Sequence, residues 1–183
     1  MPMRKAVAIF TLCMAGPALA ETPHLGQPIS AKDLAPWDID IQAEGAGLPP
    51  GEGTAAQGAP IYAAKCAACH GDGGRGTEQA KSGKPAPPIL VSEVKLKGMD
   101  ASHTSIANYW PYAPPLFGYI RAAMPWNEPR TLSDHEVYAL TAYILAESKL
   151  IDPKLVLNAK SLAQVKMPNR DGFLPRFPEL MPK

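Results

Sequence analysis

Apolar residues recur along the chain with helical spacing in three stretches and lose that spacing elsewhere. The clearest is Val137-Tyr-Ala-Leu140-Thr-Ala-Tyr143-Ile144-Leu145, where Val137, Leu140 and Ile144 form a stripe on one helical face. Its start is marked by Ser133-Asp134-His135-Glu136, an S-x-x-E capping box with acidic residues in the first turn, and Pro153 lies past its end. A shorter pattern, with Leu116, Tyr119, Ile120 and Ala123 on one face, predicts a helix over 115–123. The third stretch, 58–70, is alanine-rich, with Ile61, Tyr62 and Lys65 at i, i+3/i+4 spacing.

Between these helices the pattern gives loops. The run Gly71-Asp-Gly-Gly-Arg-Gly76 is too dense in glycine for a helix, and residues 71–103 read as a loop that includes Lys84-Pro-Ala-Pro-Pro88-Ile-Leu90. Residues 21–57, rich in Gly, Pro and Ala, predict an arm that packs through isolated anchors such as Trp37 and Ile39. Residues 151–183 form a Pro-rich, loop-like tail, and no internal repeat is visible. The expected chain is mainly α: an arm over 21–57, one domain over 58–150 and a tail over 151–183.

The first 20 residues stand apart. Met1-Pro2-Met3-Arg4-Lys5 is a short basic start, Ala6 to Ala15 an apolar run, and Ala18-Leu19-Ala20 a small-residue cleavage site. Together they read as a secretory signal peptide cleaved after Ala20, which predicts an exported, periplasmic protein. The apolar run is shorter than the roughly 20 residues that a membrane span needs. A lipid anchor on Cys13 is the rival reading, with Leu12 a poor neighbour for it. Removing the segment lowers 18 basic residues to 16 against 17 acidic ones, a formal charge of −1. With no basic stripe, nothing points to nucleic acid.

Cleavage leaves two cysteines, in Cys66-Ala67-Ala68-Cys69-His70. C-x-x-C-H is the attachment pattern of c-type haem. Two thiols one helical turn apart can each form a thioether with a haem vinyl group, and the next histidine can bind the iron as proximal ligand. A thioredoxin-like dithiol would need a βαβ context and a zinc site a second Cys/His pair; both are missing. A proximal histidine needs its other ring nitrogen held by an acceptor. The Pro88 region can supply a carbonyl, or the prolines can simply stiffen the loop.

A distal ligand would come from Met99, Met124, Met167 or Met181, or from His24, His103 or His135. Met124 is favoured because Pro125 disfavours helical geometry there, turning the chain out between two helices. Core filler is the bland alternative for Met124; Met167 is the best rival methionine, and His103 would give bis-histidine ligation. His135 is expected to face solvent at the start of its helix. Thioether sulfur is soft and favours ferrous iron, raising the potential. With both axial positions filled by protein, electron transfer is favoured over catalysis at the haem. In Tyr109-Trp110-Pro111-Tyr112, Trp110 can contact the macrocycle or donate to a propionate, or serve as core. Arg121 can pair with a propionate or face water.

These residues carry a resemblance. Glu52 to Leu150, with CAACH, Pro88-Ile89-Leu90, RAAMP (121–125) and LSDHEVYALTAYIL, resembles a class I cytochrome c. More narrowly, WDID (37–40), GLPPG (47–51), YWPYA (109–113), EVYALTAYIL (136–145) and KMPNRDGF (166–173) are similar to the cytochrome c subunits of Sox-type sulfane dehydrogenases, known as SoxD. The resemblance implies a class I fold around one covalent haem c, with Cys66 and Cys69 as its thiols, His70 proximal and Met124 distal. It also implies electron acceptance from a molybdopterin subunit that oxidises sulfane sulfur or sulfite, and a downstream acceptor such as another cytochrome c. Members typically carry two haem motifs; this chain carries one. A freely diffusing carrier, and a haem enzyme or sensor with a labile sixth ligand, are the competing expectations.

Overall fold

The computed structural model describes residues 25–34, 37–94, 96, 104–174 and 176–177. The signal segment with Cys13, and also His24, Met99, His103 and Met181, lie outside the described residues. In chain order the elements are α1 (Ala31–Leu34), β1 (Glu52–Gly53), α2 (Ala55–Lys65), α3 (Ala67–His70), a 3-10 turn (Asp72–Gly74), α4 (Glu78–Lys81), α5 (Ile106–Tyr109), α6 (Pro114–Ala123), α7 (Asp134–Glu147), β2 (Leu157–Asn158) and α8 (Ala159–Ala163). The chain is mainly helical, as its periodicity predicts. Its small sheet is one antiparallel pairing, Glu52 with Asn158 and Gly53 with Leu157.

The molecule is organised by α2 lying across α7. A Cβ on Gly58 would run into the carbonyl of Ala139 and lie 2.8 Å from Tyr143 Cβ, so only glycine lets the helices come this close. Beside the crossing, Tyr62 and Tyr143 pack ring to ring with centroids 5.0 Å apart. Lys65 and Glu136 face each other across the same crossing at 3.8 Å.

Helix α7 begins at the expected box, where Ser133 Oγ accepts the Glu136 N–H and the Glu136 carboxylate accepts the Ser133 N–H. Its burial exceeds the predicted stripe. Tyr138, Ala139, Thr141, Ala142, Leu145 and Ala146 are buried beside Val137, Leu140 and Ile144, because other elements cover the remaining faces. In α6 the buried face is Pro114, Leu116, Phe117 and Ile120. Phe117 was not expected there, whereas Tyr119 sits at the rim, 47% exposed.

The first predicted helix is two. It starts three residues early, at a Thr54/Gln57 capping box, and breaks at Cys66, where φ is −126° and ψ −35°. The long loop contains the 3-10 turn and α4.

Both extensions differ in detail from expectation. Of the two anchors expected, Trp37 is 71% exposed, whereas Ile39 is partly buried, and Ile41 and Leu48 join it. The C-terminal segment is largely loop, but β2 and α8 send Leu157 and Leu162 into the core, and Met167 follows at 3% exposure.

Candidate haem centre

Helix α3 is one turn long and, with Cys66 as its N-cap, carries the motif through His70. The Cys66 carbonyl accepts N–H groups from Cys69 (3.1 Å) and His70 (2.9 Å), which sets the thiols one turn apart with His70 beyond them. Both thiols are free; Cys66 is half-buried and Cys69 exposed. Burial, the larger cause, and neighbouring Cys69 push the Cys66 thiol up to about 11, while Lys65 opposes them. A thiol held protonated at neutral pH lacks the low pKa of a catalytic dithiol. Among the described residues no group of three or more His, Cys, Asp or Glu side chains converges to hold a bare metal ion. The motif is therefore assembled in a form that suits two thioether bonds and one imidazole ligand.

The His70 ring is buried, and its Nδ1 lies 2.9 Å from the Pro88 carbonyl oxygen. A carbonyl only accepts, so Nδ1–H is the donor and the lone pair sits on Nε2, free for iron. The loop delivering that carbonyl is itself fixed by backbone bonds. Gly74 O accepts Leu90 N–H (2.9 Å) and Val91 N–H (3.0 Å), and His70 O accepts Gly76 N–H (2.9 Å). Gly74 has φ +76°, and a Cβ there would lie 2.9 Å from Val91 Cγ2. The glycine run is thus the floor on which the Pro88–Val91 strand of chain lies, a close approach that glycine spacing alone did not reveal. Tyr62, 1% exposed, donates its hydroxyl to the Gly71 carbonyl at 3.0 Å and ties α2 to the same turn. Burial, followed by the nearby Cys66, raises the Tyr62 phenol well above its ordinary value.

Met124 is the C-cap of α6. Its backbone is extended (φ −120°, ψ 147°), as Pro125 predicts, and its N–H donates to Ile120 O at 3.0 Å. Its side chain is half-buried and packs against the core, as do those of Cys66, Ala67 and Trp110. Trp126, two residues on, is 86% exposed. Trp110 meets Tyr119 edge-on, with centroids 5.9 Å apart. Met167 lies in the core cluster among the leucines. His135 is exposed, as expected, and donates Nδ1–H to Glu52 O at 2.9 Å. Arg121 Nε donates to Asp134 Oδ1 at 2.9 Å, a partner not anticipated from the sequence, and the pair lines a cavity of about 290 Å³ with Ile39 and Leu132.

The two most distinctive sequence motifs prove to touch each other. Asn169 Nδ2 donates to Tyr109 O (2.7 Å), the Arg170 guanidinium lies 4.3 Å over the Tyr112 ring, and Phe173 meets Tyr109 edge-on at 5.3 Å. MPNRDGF therefore straps the YWPYA segment.

Residues 53–144 match the family described as cytochrome c oxidase, cbb3-type, subunit III. The match takes in the cysteine motif, Pro88, Met124 and most of α7. The thiosulfate dehydrogenase of Stutzerimonas stutzeri (strain A1501) is 29% identical over 119 residues, which are 64% of this chain and 35% of that relative. The chain thus spans about a third of the length of that curated relative. A chain in the crystal structure of the sulfane dehydrogenase SoxCD from Paracoccus pantotrophus superposes with TM-score 0.75 at 30% identity, over 87% of this chain and 75% of that one.

Proposed function

We propose that this chain, which belongs to the cytochrome c family described as cytochrome c oxidase, cbb3-type, subunit III, carries one covalent haem c and relays single electrons from a sulfur-oxidising dehydrogenase. It is a cytochrome c electron-transfer protein of class I fold, related to the cytochrome subunits of sulfur dehydrogenases. In the proposed centre Cys66 and Cys69 would form the thioethers, and His70 Nε2 and the Met124 sulfur would hold the iron. Haem bound in this way supplies a one-electron ferric/ferrous couple. The Pro88 carbonyl fixes the tautomer and the turn of the imidazole, and the thioether favours the ferrous state.

We assign the electron source to a molybdopterin subunit acting on sulfane sulfur or sulfite, in the periplasm, with another cytochrome c as the downstream acceptor. The observation that carries this is the likeness to the sulfane dehydrogenase chain, which extends over 87% of this chain and so beyond the haem domain. Exposed Leu25, Ile29, Leu34 and Trp37 in the arm, and Phe173 and Leu174 in the strap, supply apolar area for a lasting complex. Native purification is expected to bring down a molybdenum-containing partner, and sulfite or thiosulfate-derived sulfur should then reduce the haem. Migration as a single subunit without molybdenum would sink the assignment.

A second reading is favoured by the thiosulfate dehydrogenase relative: thiosulfate itself as the electron source, with no dedicated molybdenum subunit required by this reading. Reduction by thiosulfate in a molybdenum-free preparation would select it. Fast, stoichiometric CO binding by the ferrous protein would instead indicate a labile sixth ligand.

A further inference from the structure

We infer that Arg121 and Asp134 act as a clamp that positions the Met124 lip, and thereby set how firmly methionine is held on the iron. The inference rests on the proposed assignment of Met124 as distal ligand. Residues 124–133 leave α6 at Met124 and return to α7 at Asp134. Arg121 lies one turn before the exit and Asp134 is the first residue of α7, so their 2.9 Å contact closes the lip at its base. Each side chain is 32% exposed, which makes the pair only partly screened by water.

What lies between gives the lip some structure and some strain. Glu128 N–H donates to Pro125 O at 2.9 Å, Thr131 Oγ1 donates to Glu128 O at 2.8 Å, and Leu132 is buried. Arg130 is held at φ +65°, a left-handed conformation that a non-glycine residue adopts reluctantly. Besides these short internal bonds and the burial of Pro125 and Leu132, contacts at its two ends hold the lip. One end is the helical N–H bond of Met124 to Ile120 O, and the other is the α7 capping box. The ion pair is the direct bond from one end to the other. The pair joins the two helix ends from which the lip springs, so weakening it loosens the frame that holds Met124 in place.

The test uses the holoprotein with imidazole as the competing ligand, followed by loss of the far-red iron–sulfur charge-transfer band. Arg121→Gln and Asp134→Asn should each bind imidazole about 3- to 5-fold more tightly than the parent, as loss of a half-exposed ion pair allows. In the double variant the effect should be no larger than in either single one. That non-additivity separates a clamp from two independent side-chain effects, including loss of the Asp134 charge from the helix start. Additive effects, or single variants within about 1.5-fold of the parent while denaturant midpoints fall, would reduce the pair to an ordinary surface contact. Met124→Ala is measured alongside. If it keeps the charge-transfer band, the ligand assignment and the clamp fall together. If it loses the band while Arg121→Gln leaves imidazole binding unchanged, the clamp alone is overturned.

Discussion

On the cysteine side of the centre the positions that matter are set by backbone. His70 is held by the Pro88 carbonyl, Pro88 follows from Leu90 and Val91 bonding to Gly74, and the turn is tied to α2 by the buried Tyr62 hydroxyl. On the methionine side Met124 sits at a helix end, next to a 86% exposed tryptophan, at the start of a lip closed by one half-exposed ion pair. Backbone hydrogen bonds inside a packed turn resist single substitutions, whereas an exposed pair contributes only about 1 kcal/mol or less. In the proposed centre the His70 side would therefore be held rigidly and the Met124 side less so, a difference that suits an electron carrier.

The sharpest way to break this comparison is to exchange the fates of two methionines. Met167 and Met124 both precede proline, yet Met167 is 3% exposed within the core and Met124 is half-buried at a helix end. Met167→Ala should cost about 3 kcal/mol by leaving a cavity, read as a lower denaturant midpoint of the holoprotein, while the charge-transfer band stays. Met124→Ala should lose the band and lower the reduction potential with a smaller loss of stability. A Met167 variant that loses the band while Met124→Ala keeps it would reverse the assignment.

A second substitution tests the rigidity of the cysteine side. Gly74→Val places a branched side chain at φ +76° and against Val91, for a cost of about 2–3 kcal/mol from overpacking and backbone strain. The loop from 88 to 91 should lift, and the His70 ring should lose its fixed tautomer. Faster hydrogen exchange at Leu90 and Val91 would register it. Unchanged exchange would mean that the glycine floor is not what holds Pro88.

Tyr62→Phe is milder, at about 1–2 kcal/mol, because it leaves the ring and removes only the bond to Gly71. It also carries a pH dependence. Burial is the first cause raising the phenols of Tyr62, Tyr138 and Tyr143 above their ordinary value. Each therefore keeps its proton in the folded protein when the unfolded chain, with a value near 10, has begun to lose it. The stability from these groups is fully present below about pH 10 and is lost as pH rises from there toward the folded values. Helical circular dichroism should fall above about pH 10 together with the appearance of phenolate absorption. In Tyr62→Phe the slope of that loss should be shallower.

How far the sequence discloses all this depends on whether the determining contacts are local. CAACH, the Ser133/Glu136 box and the extended Met124 before Pro125 are short-range devices, and each is formed where its residues predict. Thr54-Ala-Ala-Gln57 carries the start of α2 in the same open form. The Gly71–Gly76 run gives away a turn but not its purpose, because the residues it accommodates are 15 or so positions later. Trp37 misleads because aromatic bulk marks a place to bury only if something comes to cover it, and here nothing among the described residues does. Arg121 invites a haem role by its place in RAAMP, yet its partner Asp134 becomes a neighbour only when α6 and α7 pack. The strap of Asn169, Arg170 and Phe173 on Tyr109 and Tyr112 joins residues about 60 positions apart, which no spacing rule detects.

The smallest expected effect concerns the far end of the methionine lip, where two devices meet at the start of α7. Glu136 accepts from the Ser133 N–H and hydroxyl, and these bonds, backbone first, lower its carboxyl below the ordinary value. A lowered folded value means that this contribution is present above the ordinary glutamate range and fades as pH falls through the folded value. Glu136→Gln retains an acceptor but loses the charge at the helix start and the contact to Lys65, for about 0.5 kcal/mol at neutral pH. Because Arg121 and Asp134 are untouched, imidazole binding should stay within about 1.5-fold of the parent. If Glu136→Gln loosened Met124 as much as Arg121→Gln does, the lip would be governed by the integrity of the helix start. The contrast between a rigid cysteine side and an ion-pair-tuned methionine side would then have to be redrawn around the cap.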